Sequence, residues 1–138
     1  MDSVNCAPTS QLTVLSKLNM SFETIMRGVL DRIEGARGWA FLADDGEIVF
    51  RQAVGDFETL PLLAAYHGIT VGNYRRFGLR DLLENIRTII CTYDEAVCVL
   101  KLFPENYFLV LVLTREANLG YALWLLDQAM PALLKEIG

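Results

Sequence analysis

The sequence predicts an α+β domain, an α/β/α sandwich of five mostly antiparallel strands in the order α-β-β-α-β-β-β-α. Three observations carry that prediction. Tyr107-Phe108-Leu109-Val110-Leu111-Val112-Leu113 is an unbroken apolar run, β-branched and aromatic enough for a strand buried on both faces. It leads through Thr114–Ala117 into an amphipathic helix, which implies a sheet layered with helices. Asp45-Gly46 between two strand-like runs marks an antiparallel hairpin, because the pair readily takes the backbone angles of a tight turn.

Taken in order, residues 1–20 form an N-terminal arm, in which Leu12, Leu15 and Leu18 allow a short helix. The domain proper spans 21–138. Ser21 is placed to cap a helix over Phe22–Glu34, whose Ile25, Val29 and Ile33, widened by Phe22, Met26 and Leu30, make one apolar stripe. Gly35 and Gly38 are expected to end it and supply the turn. Trp39–Ala43 and Glu47–Ala53 are the arms of the first hairpin, with Asp44 and Asp45 as turn formers rather than metal ligands.

Asp56 is expected to cap a long helix over Phe57–Phe77, with Pro61 tolerated in its first turn. Two apolar stripes run along this helix. Leu60, Leu63, Ala64, His67, Val71 and Tyr74 form one; Leu62, Ala65, Tyr66 and Ile69 form the other, displaced around the axis. A helix lying on one sheet needs only one stripe. The second must be covered as well, by a second copy of the chain or by the N-terminal arm folded over it. Gly68 and Gly72, four residues apart, allow another helix to approach closely.

Gly78 breaks the helix, and Leu79–Glu84 adds a further helical turn. Ile86–Tyr93 and Ala96–Phe103 are the arms of a second hairpin, and Pro104-Glu105-Asn106 turns the chain into the Tyr107–Leu113 strand. Asn118 caps the last helix, with Gly120 in its first turn for close approach to another backbone. Its stripe is Leu119, Ala122, Leu123, Leu126, Met130, Leu133 and Ile137, and Pro131 is expected to kink or break it. Trp124 lies off that stripe, at the core edge or free to touch a partner.

Composition narrows the function. With 138 residues, 53% hydrophobic and 21% charged, the chain is one packed domain. A net charge of −5 argues against nucleic acid as partner, since phosphate binding needs a basic face. Arg75, Arg76 and Arg80 are the one local basic cluster, a solvated helix end or a partner contact. The apolar runs are too short to span a membrane, and no secretory signal is evident at the start, so a cytoplasmic setting is expected. Neither a phosphate-binding loop nor a nucleophile elbow is present. His67, the single histidine, lies on the inner stripe as a packing residue, and no metal or cofactor set is expected. Cys91 and Cys98 face each other across the second hairpin if its turn is centred on Asp94-Glu95, and Cys6 lies in the arm.

Gly38-Trp39-Ala40 leading to Asp45-Gly46, the Tyr107–Leu113 strand and Asn118-Leu119-Gly120 opening the last helix stand together, in order, over residues 21–137. In these features the chain resembles the roadblock/dynein light chain family, relatives of the longin and profilin-like folds, including its bacterial polarity regulators. The arm, the Leu79–Glu84 segment and Pro131 depart from the usual pattern. The resemblance implies a dimer joined through the second helix and third strand, with Leu62, Leu63, Tyr66, Ile69, Tyr74, Ile89 and Cys91 at the interface. It also implies a non-catalytic platform for a Ras-like small GTPase, with Arg75, Arg76, Arg80 and Trp124 as candidate partner contacts. An adaptor that pairs in the same way without a GTPase is the alternative, and a small-ligand sensor is a third reading.

Overall fold

The computed structural model describes residues 21–76 and 86–137, without the side chains of 74–76. The expectations for the N-terminal arm, Cys6, Arg80 and the Leu79–Glu84 turn therefore lie outside the described residues. The elements are α1 (Phe22–Arg32), β1 (Ala36–Leu42), β2 (Ile48–Ala53), α2 (Leu60–Arg76), β3 (Thr88–Thr92), β4 (Ala96–Leu102), β5 (Phe108–Thr114) and α3 (Leu119–Ile137). The strands form one sheet in the order β2-β1-β5-β4-β3, every neighbouring pair antiparallel. This is the α+β arrangement the sequence predicts. The unbroken apolar run is its middle strand.

The pleat sends successive residues to opposite faces, so β5 supplies two cores. On one face Leu109, Leu111 and Leu113 join Trp39, Phe41, Val97 and Val99 beneath α1 and α3. Phe22 of α1 anchors this layer, its ring centroid 4.4 Å from that of Phe41 and 5.7 Å from that of Trp39. On the other face Phe108, Val110 and Val112 join Ala40, Leu42, Cys98 and Leu100, with Leu60, Ala64 and Val71 of α2. Among the described residues, two helices serve one face and a single helix the other.

Local chemistry sets most of the boundaries. Ser21 Oγ accepts from the Thr24 N–H at 3.2 Å, and Asn118 Oδ1 accepts from the Tyr121 N–H at 3.0 Å, so both expected N-caps are in place. Asp45 Oδ1 accepts from the Glu47 N–H at 2.9 Å beside Gly46, whose φ is +86°. That is the turn-forming role expected of Asp45. Between β4 and β5 a 3-10 turn, Pro104–Asn106, places Glu105 and Asn106 at positive φ and reverses the chain.

Several boundaries differ from expectation. The second helix begins at Leu60, not Phe57, so Asp56 is not its cap; Thr59 takes that place, its carbonyl accepting from the Leu63 N–H at 3.0 Å. Pro61 is the physical reason. A helix from Phe57 would need Pro61 to donate to the Phe57 carbonyl, and it has no N–H to give. Gly38 lies inside β1, at a register shift, not in the preceding turn. A Cβ there would fall 2.8 Å from the Gln52 carbonyl oxygen, so glycine is what lets β2 lie close. Gly120 approaches no other backbone, only the Asn118 cap oxygen at 3.6 Å. Gly68 faces Phe108 and Leu42 at 3.5 and 3.6 Å, while Gly72 has open space, so the pair does not make one helix-docking strip. Pro131 does not end α3, which continues to Ile137.

Candidate protein-docking surface

The doubled pattern of α2 resolves into one buried and one open side. Leu60, Ala64, His67 and Val71 are buried toward the sheet. Leu62, Tyr66 and Ile69 point away from it and are 65%, 68% and 64% exposed, a row of large apolar side chains at helical spacing. Ala65 is exposed beside them. A spacing of three and four residues places this row on one strip of the helix surface, where a single flat partner can meet it.

The residues singled out from the sequence fall into separate groups. Leu62, Tyr66 and Ile69 form the exposed row. Leu63 does not belong to it: it is half-buried against the core beneath α2. Tyr74, Arg75 and Arg76 are in the last turn of α2, their side chains outside the description, and Arg80 lies outside the described residues. Ile89 and Cys91 are half-buried in β3, on the sheet face that α2 covers. Among the described residues β3 is an edge strand, with β4 as its one strand neighbour. Trp124 is not part of this group. It is 55% exposed on α3, at the opposite sheet face, stacked on Tyr121 with centroids 6.1 Å apart. The sequence reading missed Tyr121, whose pairing with Trp124 follows from their i, i+3 spacing.

A polar contact ties α2 to the second hairpin, between His67 Nε2 and the Tyr93 hydroxyl at 3.0 Å. Burial holds the His67 pKa below its ordinary value, so the ring is neutral near pH 7. Arg115 Nη1 donates to the carbonyls of Tyr93 and Asp94 at 2.9 and 3.2 Å, pinning the hairpin turn to the segment after β5. On the far face Lys101, a buried lysine the sequence did not single out, donates to Asp127 at 2.6 Å and to Thr88 Oγ1 at 2.8 Å. Its ammonium thus links β3, β4 and α3 on that face.

Among the described residues no group of three His, Cys, Asp or Glu side chains is placed to hold a metal ion. His67 is buried, and its Nε2 is paired with the Tyr93 hydroxyl. Among the described residues no helix is long and apolar enough to cross a membrane.

An antiparallel five-stranded sheet with one helix on one face and two on the other, among the described residues, defines a longin-like α+β sandwich. More narrowly, the chain has the fold of Roadblock/LC7 domains. The structure of MglC from Myxococcus xanthus matches at 24% identity, covering 85% of this chain and 99% of that one, with a TM-score of 0.62. The gliding protein MglB from Thermus thermophilus matches at 18% identity, over 83% of this chain and 87% of that one, with a TM-score of 0.71. A Roadblock/LC7 domain from Streptomyces avermitilis matches at 20% identity, over 80% and 95%, with a TM-score of 0.57. No protein-family model matches the sequence, and no curated protein matches it.

Proposed function

We propose that the chain is a non-catalytic, roadblock-type scaffold or regulator. In this reading it pairs with a second copy through the outer face of α2 and the edge of β3, and the pair docks a Ras-like small GTPase. The observation that carries the pairing is the exposed row Leu62, Tyr66 and Ile69. Three large apolar side chains on one strip of a helix cost free energy in water that a partner would recover. Ile89 and Cys91 on the neighbouring edge strand extend the surface, and the free backbone groups of an edge strand favour continuation of the sheet. The GTPase half rests on the resemblance to the roadblock/dynein light chain family and on the likeness in fold to MglB and MglC.

Two measurements test the halves separately. Light scattering on the purified chain reads the pairing, and a monomer at roughly tens of micromolar overturns it. Titration against the small GTPase encoded nearest its own gene, loaded with GDP or with a GTP analogue, reads the docking. The expected result is tighter binding of one nucleotide state, and equal affinity or no binding overturns the regulatory role.

A further inference from the structure

The geometry points to a redox modification site at Cys91 and Cys98, two facing thiols that a small-molecule disulfide converts into a single cross-strand disulfide. Both cysteines are free, and they stand directly opposite each other in the β3–β4 ladder. The Tyr93 N–H donates to the Ala96 carbonyl at 2.8 Å, closing the hairpin with a directly hydrogen-bonded pair. Such pairs alternate along an antiparallel ladder, so Thr92 and Val97 are the non-bonded pair and Cys91 and Cys98 the next bonded one. Cα atoms of a bonded pair lie about 5.5 Å apart. That is inside the roughly 4.4–6.8 Å Cα span of disulfides; the Cβ atoms, about 5.5 Å apart in a bonded pair, must close by about an ångström, a shift that an edge strand such as β3 can make. Both side chains project to the same face of the sheet, the one α2 covers.

The two thiols differ in access, which assigns their roles. Cys91 is half-buried on the edge strand and is the entry point, whereas Cys98 is fully buried on β4. The Cys91 thiolate attacks a disulfide RSSR, forming a Cys91–SR bond and releasing RS⁻. The Cys98 thiol then loses its proton and attacks the Cys91 sulfur, expelling the second RS⁻. The protein gives up two electrons and two protons, and RSSR leaves as two RSH. Burial raises both thiol pKa values, and for Cys98, with Cys91 beside it, the value is pushed up to about 12. The pair is therefore slow at neutral pH and reacts faster in base, because the thiolate is the attacking species. The product pins the edge strand to β4 near the hairpin turn, two residues from the Tyr93 that contacts His67.

The full chain carrying Cys6→Ser, which leaves only these two thiols, is incubated folded with oxidised glutathione at about pH 7 and about pH 9. Free thiols are counted and peptides are mapped by mass. The expected result is joint loss of both thiols, a peptide cross-linked between Cys91 and Cys98, and a rate at least tenfold higher at the upper pH. In the further variant Cys91→Ser, Cys98 stays unmodified over the same period. A lasting glutathione adduct on Cys91 with Cys98 still free, or a disulfide between two chains, overturns the proposal. Cys91 also lies on the pairing surface proposed above, so the same incubation is run on protein carrying Tyr66→Glu: cross-linking in that variant supports the thiol proposal even where pairing slows it in the native chain, and unreacted thiols in that variant at both pH values overturn it.

Discussion

Replacing Tyr66 by glutamate should separate two copies of the chain while leaving each copy folded. Complete burial of a side chain of this size is worth about 1.5–3 kcal/mol, so about two-thirds of that, roughly 1–2 kcal/mol, is still available at each of Leu62, Tyr66 and Ile69. In a symmetric pair the row supplies roughly 6–12 kcal/mol before the cost of association, itself about 4–15 kcal/mol. The row alone therefore comes out near balance, and in the proposed pairing the β3 edge supplies the rest. Tyr66→Glu removes the contribution of two tyrosines and asks two carboxylates to leave water, at several kcal/mol each. A loss of about 4 kcal/mol or more corresponds to a roughly thousandfold weaker Kd. The same change on the isolated chain alters an exposed side chain and should move stability by about 0.5 kcal/mol or less. Sedimentation equilibrium reads the first quantity and thermal unfolding of the dilute protein reads the second. Leu63→Glu is the control, because Leu63 is half-buried against the core and its variant should melt markedly lower. If Tyr66→Glu associates as tightly as the native chain, the outer face of α2 is not the contact and the reasoning fails.

Three further outcomes are expected. Asp127→Ala leaves the nearly buried Lys101 ammonium with Thr88 alone; because Asp127 is 62% exposed, the loss should be about 1–2 kcal/mol in urea unfolding, and larger than that of Lys101→Met, which removes the charge along with its need for a partner. His67 has a folded-state pKa below its unfolded value near 6.5, so below that pH the unfolded chain binds the extra proton and stability falls as pH falls toward the folded pKa. Denaturation of native and His67→Asn protein over about pH 7.5 to 5.5 should show a steeper acid loss in the native chain, and parallel curves would remove this account. Gly38→Ala should cost about 1–3 kcal/mol, since the new Cβ meets the β2 backbone, whereas Gly72→Ala, in open space within a helix, should stabilise the dilute chain by up to about 1 kcal/mol; differential scanning calorimetry distinguishes the two signs.

The parts of the fold legible in the sequence are those decided within a few residues. Ser21 and Asn118 cap helices because a short polar side chain reaches its own first turn, and Asp45-Gly46 turns a hairpin for reasons internal to those two residues. The facing of Cys91 and Cys98 likewise followed from the length of one turn. What escaped depends on residues far apart in the chain. Lys101 and Asp127 meet only because β4 lies under α3, and nothing near Lys101 in sequence announces that its ammonium will find a carboxylate. Leu125, buried beneath α3 yet absent from the expected stripe, shows the same limit, since the width of a buried stripe is set by what the helix packs against.

The candidate surface divides along the same line. Periodicity alone separated the two stripes of α2, with Leu63 on the sheet side and Leu62, Tyr66 and Ile69 on the other, although it also left Leu63 among the expected contact residues. The packing keeps that division, with Leu63 half-buried and the other three exposed. It also put Trp124 on the far side of the sheet, so a single partner touching Trp124 and the α2 row would have to wrap around an edge. The asymmetry of the sandwich explains why the open row is on α2. α1 and α3 share one sheet face and pack against each other, so most of their apolar residues are covered by sheet and neighbour together, Tyr121 and Trp124 excepted. Among the described elements α2 lies alone on its face, and a lone helix on a sheet needs only the stripe beneath it. Among the described residues nothing covers the apolar side chains on its back, so the free energy they can still release is available to whatever surface meets them.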